Sequence, residues 1–197
     1  MTVVKEIKNQ YARILLKKDA RHFKSVAEHY LDVAARLKKR DIRASKNKLL
    51  LRNSQKRLFL GIGCELLLKA YYLKNGYCIN KFTNEFEGKK SPIHKISDLN
   101  LNHVNPDDSF TMGQLIDGLK NVGELPRLHE IERGFKIAMT FRNKEGHVSF
   151  PTHEFDDSNY SDIESSFVTF YKHGFDESLV FKISMKPNEK AVFRVRK

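Results

Sequence analysis

Arg142, Asn143 and His147 place a permanent cation, an amide and a titratable imidazole in one short run, Arg142-Asn143-Lys144-Glu145-Gly146-His147. A guanidinium matches phosphate through paired hydrogen bonds and keeps its charge at any physiological pH. Histidine titrates near neutrality and can move a proton to or from a ribose hydroxyl or a leaving oxygen. On RNA these two groups can break the chain without a metal, because the substrate carries its own 2′-hydroxyl nucleophile. The same requirement excludes DNA as substrate. On an uninterrupted helix a five-residue step separates two side chains by about 140°. Gly146 suits the left-handed residue that closes a helix, so a stop there can turn the imidazole back toward the guanidinium. Asn143 can hydrogen-bond His147 or the backbone and so fix the ring. Spacing alone also fits a plainer reading, a helix-end arginine followed by a capping histidine.

Other chemistries find little support. The chain has no phosphate-binding glycine loop with Lys-Ser/Thr, no His-Glu-x-x-His and no Cys/His cluster at zinc spacing. His94, His103, His129, His153 and His173 have no partner at ligand spacing, and no nucleophile elbow is present. Neither a metal nor a cofactor is expected. Cys64 and Cys78 do not form a disulfide framework, and Cys64 reads as a small buried hydrophobe.

The net charge of +12 is one-sided. Residues 1–60 hold 17 Lys/Arg against 5 Asp/Glu, whereas residues 61–197 hold 19 of each. The excess includes Lys38, Lys39, Arg40, Arg43, Lys46, Lys48, Arg52, Lys56 and Arg57, and Lys144 adds a cation beside Arg142. Such a field attracts polyanions, nucleic acid first, although a merely solvated helix face has the same composition. The apolar runs Leu49-Leu50-Leu51 and Leu66-Leu67-Leu68 fall far short of a bilayer span, and residues 1–10 contain no apolar signal region. A cytoplasmic protein with no membrane partner is expected.

The elements that must position these residues read as helices. An early helix is predicted over Val3–Lys17. A second covers Ala20–Lys39, with Phe23, Val26, Ala27, Tyr30, Val33, Ala34 and Leu37 on one stripe. A long helix runs from Asn47 to Lys74 and stops at Asn75-Gly76. Gly61 and Gly63 inside it suit close helix packing. Residues 77–108 read as a long loop with one helical turn near His94–Leu99. Thr111 to Gln114 has capping-box spacing and opens a short helix to Asn121. Pro126 starts the helix that carries Ile131, Phe135, Ala138 and Phe141 inward. Ser161 to Glu164 is a second capping box, opening a helix with Phe167, Phe170 and Tyr171 inward and an end near Gly174. Alternation over Leu179–Met185 and Ala191–Arg196 around Pro187-Asn188 predicts a β-hairpin. The expectation is an all-α chain, an antiparallel helical bundle over 1–175 with basic helices at 1–46 and a core at 47–175. A small hairpin at 176–197 completes it.

In this helical setting, Arg142-Asn143 followed by His147 resembles the HEPN (higher eukaryotes and prokaryotes nucleotide-binding) superfamily, whose motif opens on Arg, favours a polar residue next and ends in His. Gly63-Cys64-Glu65-Leu66-Leu67-Leu68-Lys69-Ala70-Tyr71-Tyr72-Leu73-Lys74 is similar to the Glu-x-x-x-Lys core helix of bacterial members. Ser91-Pro92-Ile93-His94-Lys95-Ile96-Ser97-Asp98-Leu99 is similar to the His-Lys segment that follows it. The resemblance spans residues 47–175. It implies a homodimer whose two Arg/His sets meet across a two-fold axis, and metal-independent RNA cleavage leaving a 2′,3′-cyclic phosphate. Carried over, His147 is the acid/base, Arg142 binds phosphate, and Asn143 orients. Glu65 either reaches this site or pairs with Lys69 at i,i+4. A toxin subgroup places Tyr two residues after the His; here Ser149 stands there, against regulation by modification at that position.

The expected function is therefore an RNA endonuclease in a toxin or antiphage-defence role, with RNA and a second copy as partners, and an antitoxin or defence-complex subunit as a further one. The alternatives are a non-catalytic RNA/DNA-binding or scaffold protein, and a regulatory subunit of a defence complex.

Overall fold

A computed structural model of the chain describes residues 18–37, 46–146, 157–183 and 188–196. The predicted helix Val3–Lys17, the side chains of Lys38, Lys39, Arg40 and Arg43, and His147, Ser149 and His153 lie outside the described residues. What is described is mostly helical, with five α-helices and two small antiparallel sheets. The helices are α1 (Lys18–Arg36), α2 (Lys46–Lys74), α3 (Met112–Gly118), α4 (Leu128–Gly146) and α5 (Asp157–Phe170). The strands are β1 (Asn80–Phe82), β2 (Val104–Ser109), β3 (Ser178–Lys182) and β4 (Val192–Arg196).

Two compact units interleave along the chain. One holds the chain up to Ser25 together with Leu66–Glu124; the other holds Val26–Glu65 and the chain from Leu125 onward. The helix α2 contributes its residues through Glu65 to the second and the rest to the first.

In the unit built on Leu66–Glu124, α2 ends where expected. Gly76 takes φ +78, a conformation that costs glycine nothing. The Tyr72 hydroxyl donates to the Leu115 carbonyl at 2.7 Å, and burial pushes its pKa far above the usual tyrosine value. Thr111 caps α3 in a complete capping box with Gln114, as its spacing predicts. The loop predicted over 77–108 is partly strand. Asn80 pairs with Ser109 and Phe82 with Val104 in an antiparallel ladder with a bulge between the two pairs. The Asn80 side chain donates to the Asn105 carbonyl at 3.0 Å, and Pro106, which has no amide to give, falls in the bulged stretch. A strand of three residues facing an Asn/Asp/Pro-rich one has no alternation to read. The helical turn expected near His94–Leu99 is a 3-10 turn at Ile96–Asp98.

In the other unit, small residues set the helix spacing. A methyl group on Gly63 would meet the Leu31 side chain at 2.8 Å and the Ala27 carbonyl at 3.2 Å, so α2 crosses α1 at close range. The buried stripe of α1 is accordingly Ala27, Leu31, Ala34 and Ala35, rotated from the predicted one, with Phe23, Val26, Tyr30 and Val33 half-buried. Close crossing selects small side chains at the contact and pushes the larger ones to its flanks. Gly134 plays the same part between α4 and α5, where a methyl group would strike Ser166 and the Asp162 carbonyl. Ile131, Phe135, Ala138 and Phe141 form the buried face of α4, as predicted.

An aromatic chain then ties the elements together. Phe135 contacts Phe167 and Phe170, Phe167 contacts Phe181 of β3, and Phe181 contacts Phe193 of β4, with ring centroids 4.9–5.6 Å apart. The predicted hairpin is present, with Ser178 opposite Arg196 and Lys182 opposite Val192. It is fastened to α5 by the Ile183 amide, which donates to the Glu164 carboxylate at 2.6 Å.

Two predicted helix starts need correction. Pro126 does not open α4. It lies in a turn whose next residue, Arg127, has φ 60, and the helix begins at Leu128. Arg127 then clasps Glu130 at 2.6 Å and stabilises the first turn. Nor does Ser161 cap α5, which already begins at Asp157; the Ser161 hydroxyl donates back to the Asp157 carbonyl one turn earlier. A serine and a glutamate at capping spacing occur equally well inside a helix, where the hydroxyl bonds the i−4 carbonyl.

Candidate functional site

Arg57, Gly61 and Glu65 recur every four residues and therefore share one face of α2. Against the middle of that face lies α4. A methyl group on Gly61 would collide with the Cβ of Arg142 and approach the Ala138 carbonyl at 2.8 Å. Only a residue without a side chain lets the two backbones come this close. One turn further along α2, Glu65 reaches the same arginine, with its Oε2 3.0 Å from the Arg142 Nη2.

The pair is graded in exposure. The Glu65 side chain is 13% exposed and that of Arg142 is 40% exposed. The carboxylate thus grips the guanidinium from the protein side, and a cation remains at the surface. A half-exposed ion pair adds only about 0–1 kcal/mol to stability. Its more useful effect is to fix the direction of a long, flexible side chain. Glu65 thus contacts the Arg142 guanidinium, and Lys69, one turn on, donates to the Ser109 hydroxyl at 3.0 Å.

The neighbouring Cys64 is buried with a raised thiol pKa, first through burial and then through the Glu65 charge. It remains a thiol at neutral pH and offers no nucleophile. Cys78 is likewise buried and in no disulfide, its thiol donating to the Asn80 carbonyl at 3.5 Å.

The described part of α4 extends through Gly146, which is still helical, and the expected stop after it falls, with His147, outside the described residues. Asn143 is exposed and Lys144 half-buried in the same last turns. Of the predicted nucleic-acid cations, Arg57 lies on the α2 face that meets Arg142, and Arg52 is half-buried further back. Lys46 and Lys48 are backbone positions in the first turns of α2. Lys56 is a correction: it is 1% exposed and cannot offer its ammonium to a passing phosphate. Its spacing explains this, because Lys56, Leu60, Cys64 and Leu67 follow one another along the apolar face of α2.

Gly61 is the residue whose part in the site the sequence leaves unstated. A Gly-x-x-x-Glu step on a helix carries the signal only once a crossing partner is known. Among the described residues, no three His, Cys, Asp or Glu side chains gather as a metal site, and no helix is long and apolar enough to cross a membrane. No protein-family model, curated protein or solved structure matches the chain.

Proposed function

We propose that this chain is a HEPN-type endoribonuclease, a helical-bundle protein that cleaves RNA through attack of a 2′-hydroxyl on the adjacent phosphorus. The observation that carries this reading is the anchored Arg142: seated on Gly61, gripped by Glu65, partly exposed, and five residues before His147 in the sequence. Arg142 neutralises the non-bridging phosphate oxygens as charge builds on them. His147 moves the proton, from the 2′-hydroxyl or to the departing 5′-oxygen, and Asn143 orients the ring. The 2′-oxygen to phosphorus bond forms as the phosphorus to 5′-oxygen bond breaks, giving a 2′,3′-cyclic phosphate and a 5′-hydroxyl. A single histidine serves one proton transfer at a time, so a second copy of the chain completes the site in a homodimer. A cytoplasmic toxin or antiphage role, with an inhibitory or complex-forming partner, accompanies this reading.

The test is cleavage of end-labelled RNA in EDTA by the purified protein, with product ends mapped. The expected result is cleavage with a cyclic-phosphate product, abolished by Arg142→Ala or His147→Ala. Wild-type protein that is inert without divalent metal would overturn the proposal.

The basic excess of residues 1–60 favours a second reading, a non-catalytic RNA- or DNA-binding protein. That protein would bind RNA and DNA alike, with steep salt dependence and no effect of His147→Ala.

A further inference from the structure

The C-terminal hairpin carries a basic face that the even charge balance of residues 61–197 conceals. Alternation sends Leu179 and Phe181 inward and leaves Ser178, Val180 and Lys182 exposed. Residues directly opposite in an antiparallel ladder point the same way, and here the pairs are Ser178 with Arg196, Val180 with Arg194 and Lys182 with Val192. The outer face is therefore a strip of three cations, two valines and a serine, with no carboxylate on it. Lys182 is already balanced by Glu164 at 3.5 Å and Glu189 at 3.8 Å. Arg194 and Arg196 are exposed, and neither is paired with a carboxylate among the described residues. Asp176 and Glu177 bound the strip beyond Arg196, where they line a groove of about 470 Å³ that Lys172 and Arg196 share.

We infer that this outer face binds the backbone of single-stranded RNA, a choice of polyanion that rests on the ribonuclease reading. Two residues along a strand separate Arg194 from Arg196 by roughly 6.8 Å, close to the step between neighbouring phosphates of an extended strand. Arginine suits each phosphate through its planar fork. Between the charges Val180 is 43% exposed, an apolar side chain on the solvent side of a strand, placed to meet a ribose or the face of a base. A continuous double helix fits less well, because the deep major groove of A-form RNA keeps side chains out.

The experiment uses the full chain and a fluorescent 2′-O-methyl oligoribonucleotide, which keeps the phosphates but lacks the hydroxyl needed for cleavage. Fluorescence anisotropy is measured across a salt series for wild type and for Arg194→Gln/Arg196→Gln. The double variant is expected to bind about tenfold more weakly at moderate salt. Its log–log salt slope should be shallower by about 1.4, the release expected for two single-strand phosphates. Unchanged thermal melting confirms that the hairpin is intact. An unchanged affinity and slope in the double variant overturns the inference. So does a wild type that binds no RNA, or a double variant that loses only its hold on phosphatidylserine vesicles. Cleavage of unmodified RNA is scored separately. Weakened binding in a protein that never cleaves leaves this inference standing and removes the ribonuclease reading. Full cleavage with unchanged binding does the reverse.

Discussion

Gly61 of α2 and Arg142 of α4 meet with no room for a single methyl group between them. This contact, more than the ion pair, sets where the guanidinium starts. Gly61→Ala gains about 1 kcal/mol of helix propensity, but it places a methyl group against the Arg142 Cβ and the Ala138 carbonyl, and backbone does not yield as a flexible side chain does. Overpacking of this kind costs about 1–3 kcal/mol. The expected outcome is a lower urea midpoint together with a larger proportional loss of RNA cleavage. An alanine variant as stable and as active as wild type would show that α2 and α4 do not cross this closely.

Glu65 makes a different prediction because it orients rather than spaces. Glu65→Gln keeps the shape and removes the charge that holds Arg142. Little stability should be lost, within about 1 kcal/mol for a half-exposed pair. Cleavage should fall by about 10- to 100-fold, the range in which a small misplacement of a catalytic group acts. Thermal melts and single-turnover rates measured on the same preparation separate the two effects.

Alkaline stability should depend on Tyr171. This buried phenol donates to the Glu28 carboxylate at 3.3 Å, and its pKa is raised, first by burial and next by the Glu28 charge. A raised folded-state pKa means that the stabilisation is complete below the unfolded value of about 10 and is lost as pH climbs toward the folded one. Urea midpoints should therefore drop above about pH 10. Tyr171→Phe should start lower at neutral pH by about 1 kcal/mol and then decline less steeply. Some decline remains in the variant, since Tyr71 and Tyr72 are raised as well. Parallel curves for the two proteins would contradict this assignment.

The two cysteines supply a check on burial. Both are enclosed, and the Cys64 thiol is held protonated. Native protein should not react with a thiol-specific dye at pH 8, and unfolded protein should react at both positions. Rapid native reaction would place Cys64 in a far looser helix pair than the one described.

Features that a short stretch determines on its own were readable in the sequence. The long helix was predicted from Asn47 to Lys74 and runs from Lys46 to Lys74, because Asn75-Gly76 stops it locally. The Thr111–Gln114 box and the alternation of the hairpin behave likewise. Features set by a distant neighbour were not readable. Lys56 counts as a surface cation until its place on the apolar side of α2 buries it. The stripe of α1 rotates because Gly63 admits Leu31. The strands β1 and β2 are too short and too polar to announce themselves. For the site, the Arg142 motif was local and therefore visible. That Glu65 would find Arg142 depends on how α2 and α4 cross, which no local pattern encodes.

The interleaving of the two units bears on when the site exists. Glu65 is the last residue of the second unit before the chain departs into Leu66–Glu124, and Arg142 belongs to the part that follows its return. Closing so long a loop is an entropic cost met before the contact rewards it, and contacts of this separation slow folding. A chain still emerging from synthesis carries neither Arg142 nor its anchor in place. The proposed nuclease is thus silent in its unfinished form, and an inhibitor needs only to be present by the time folding ends.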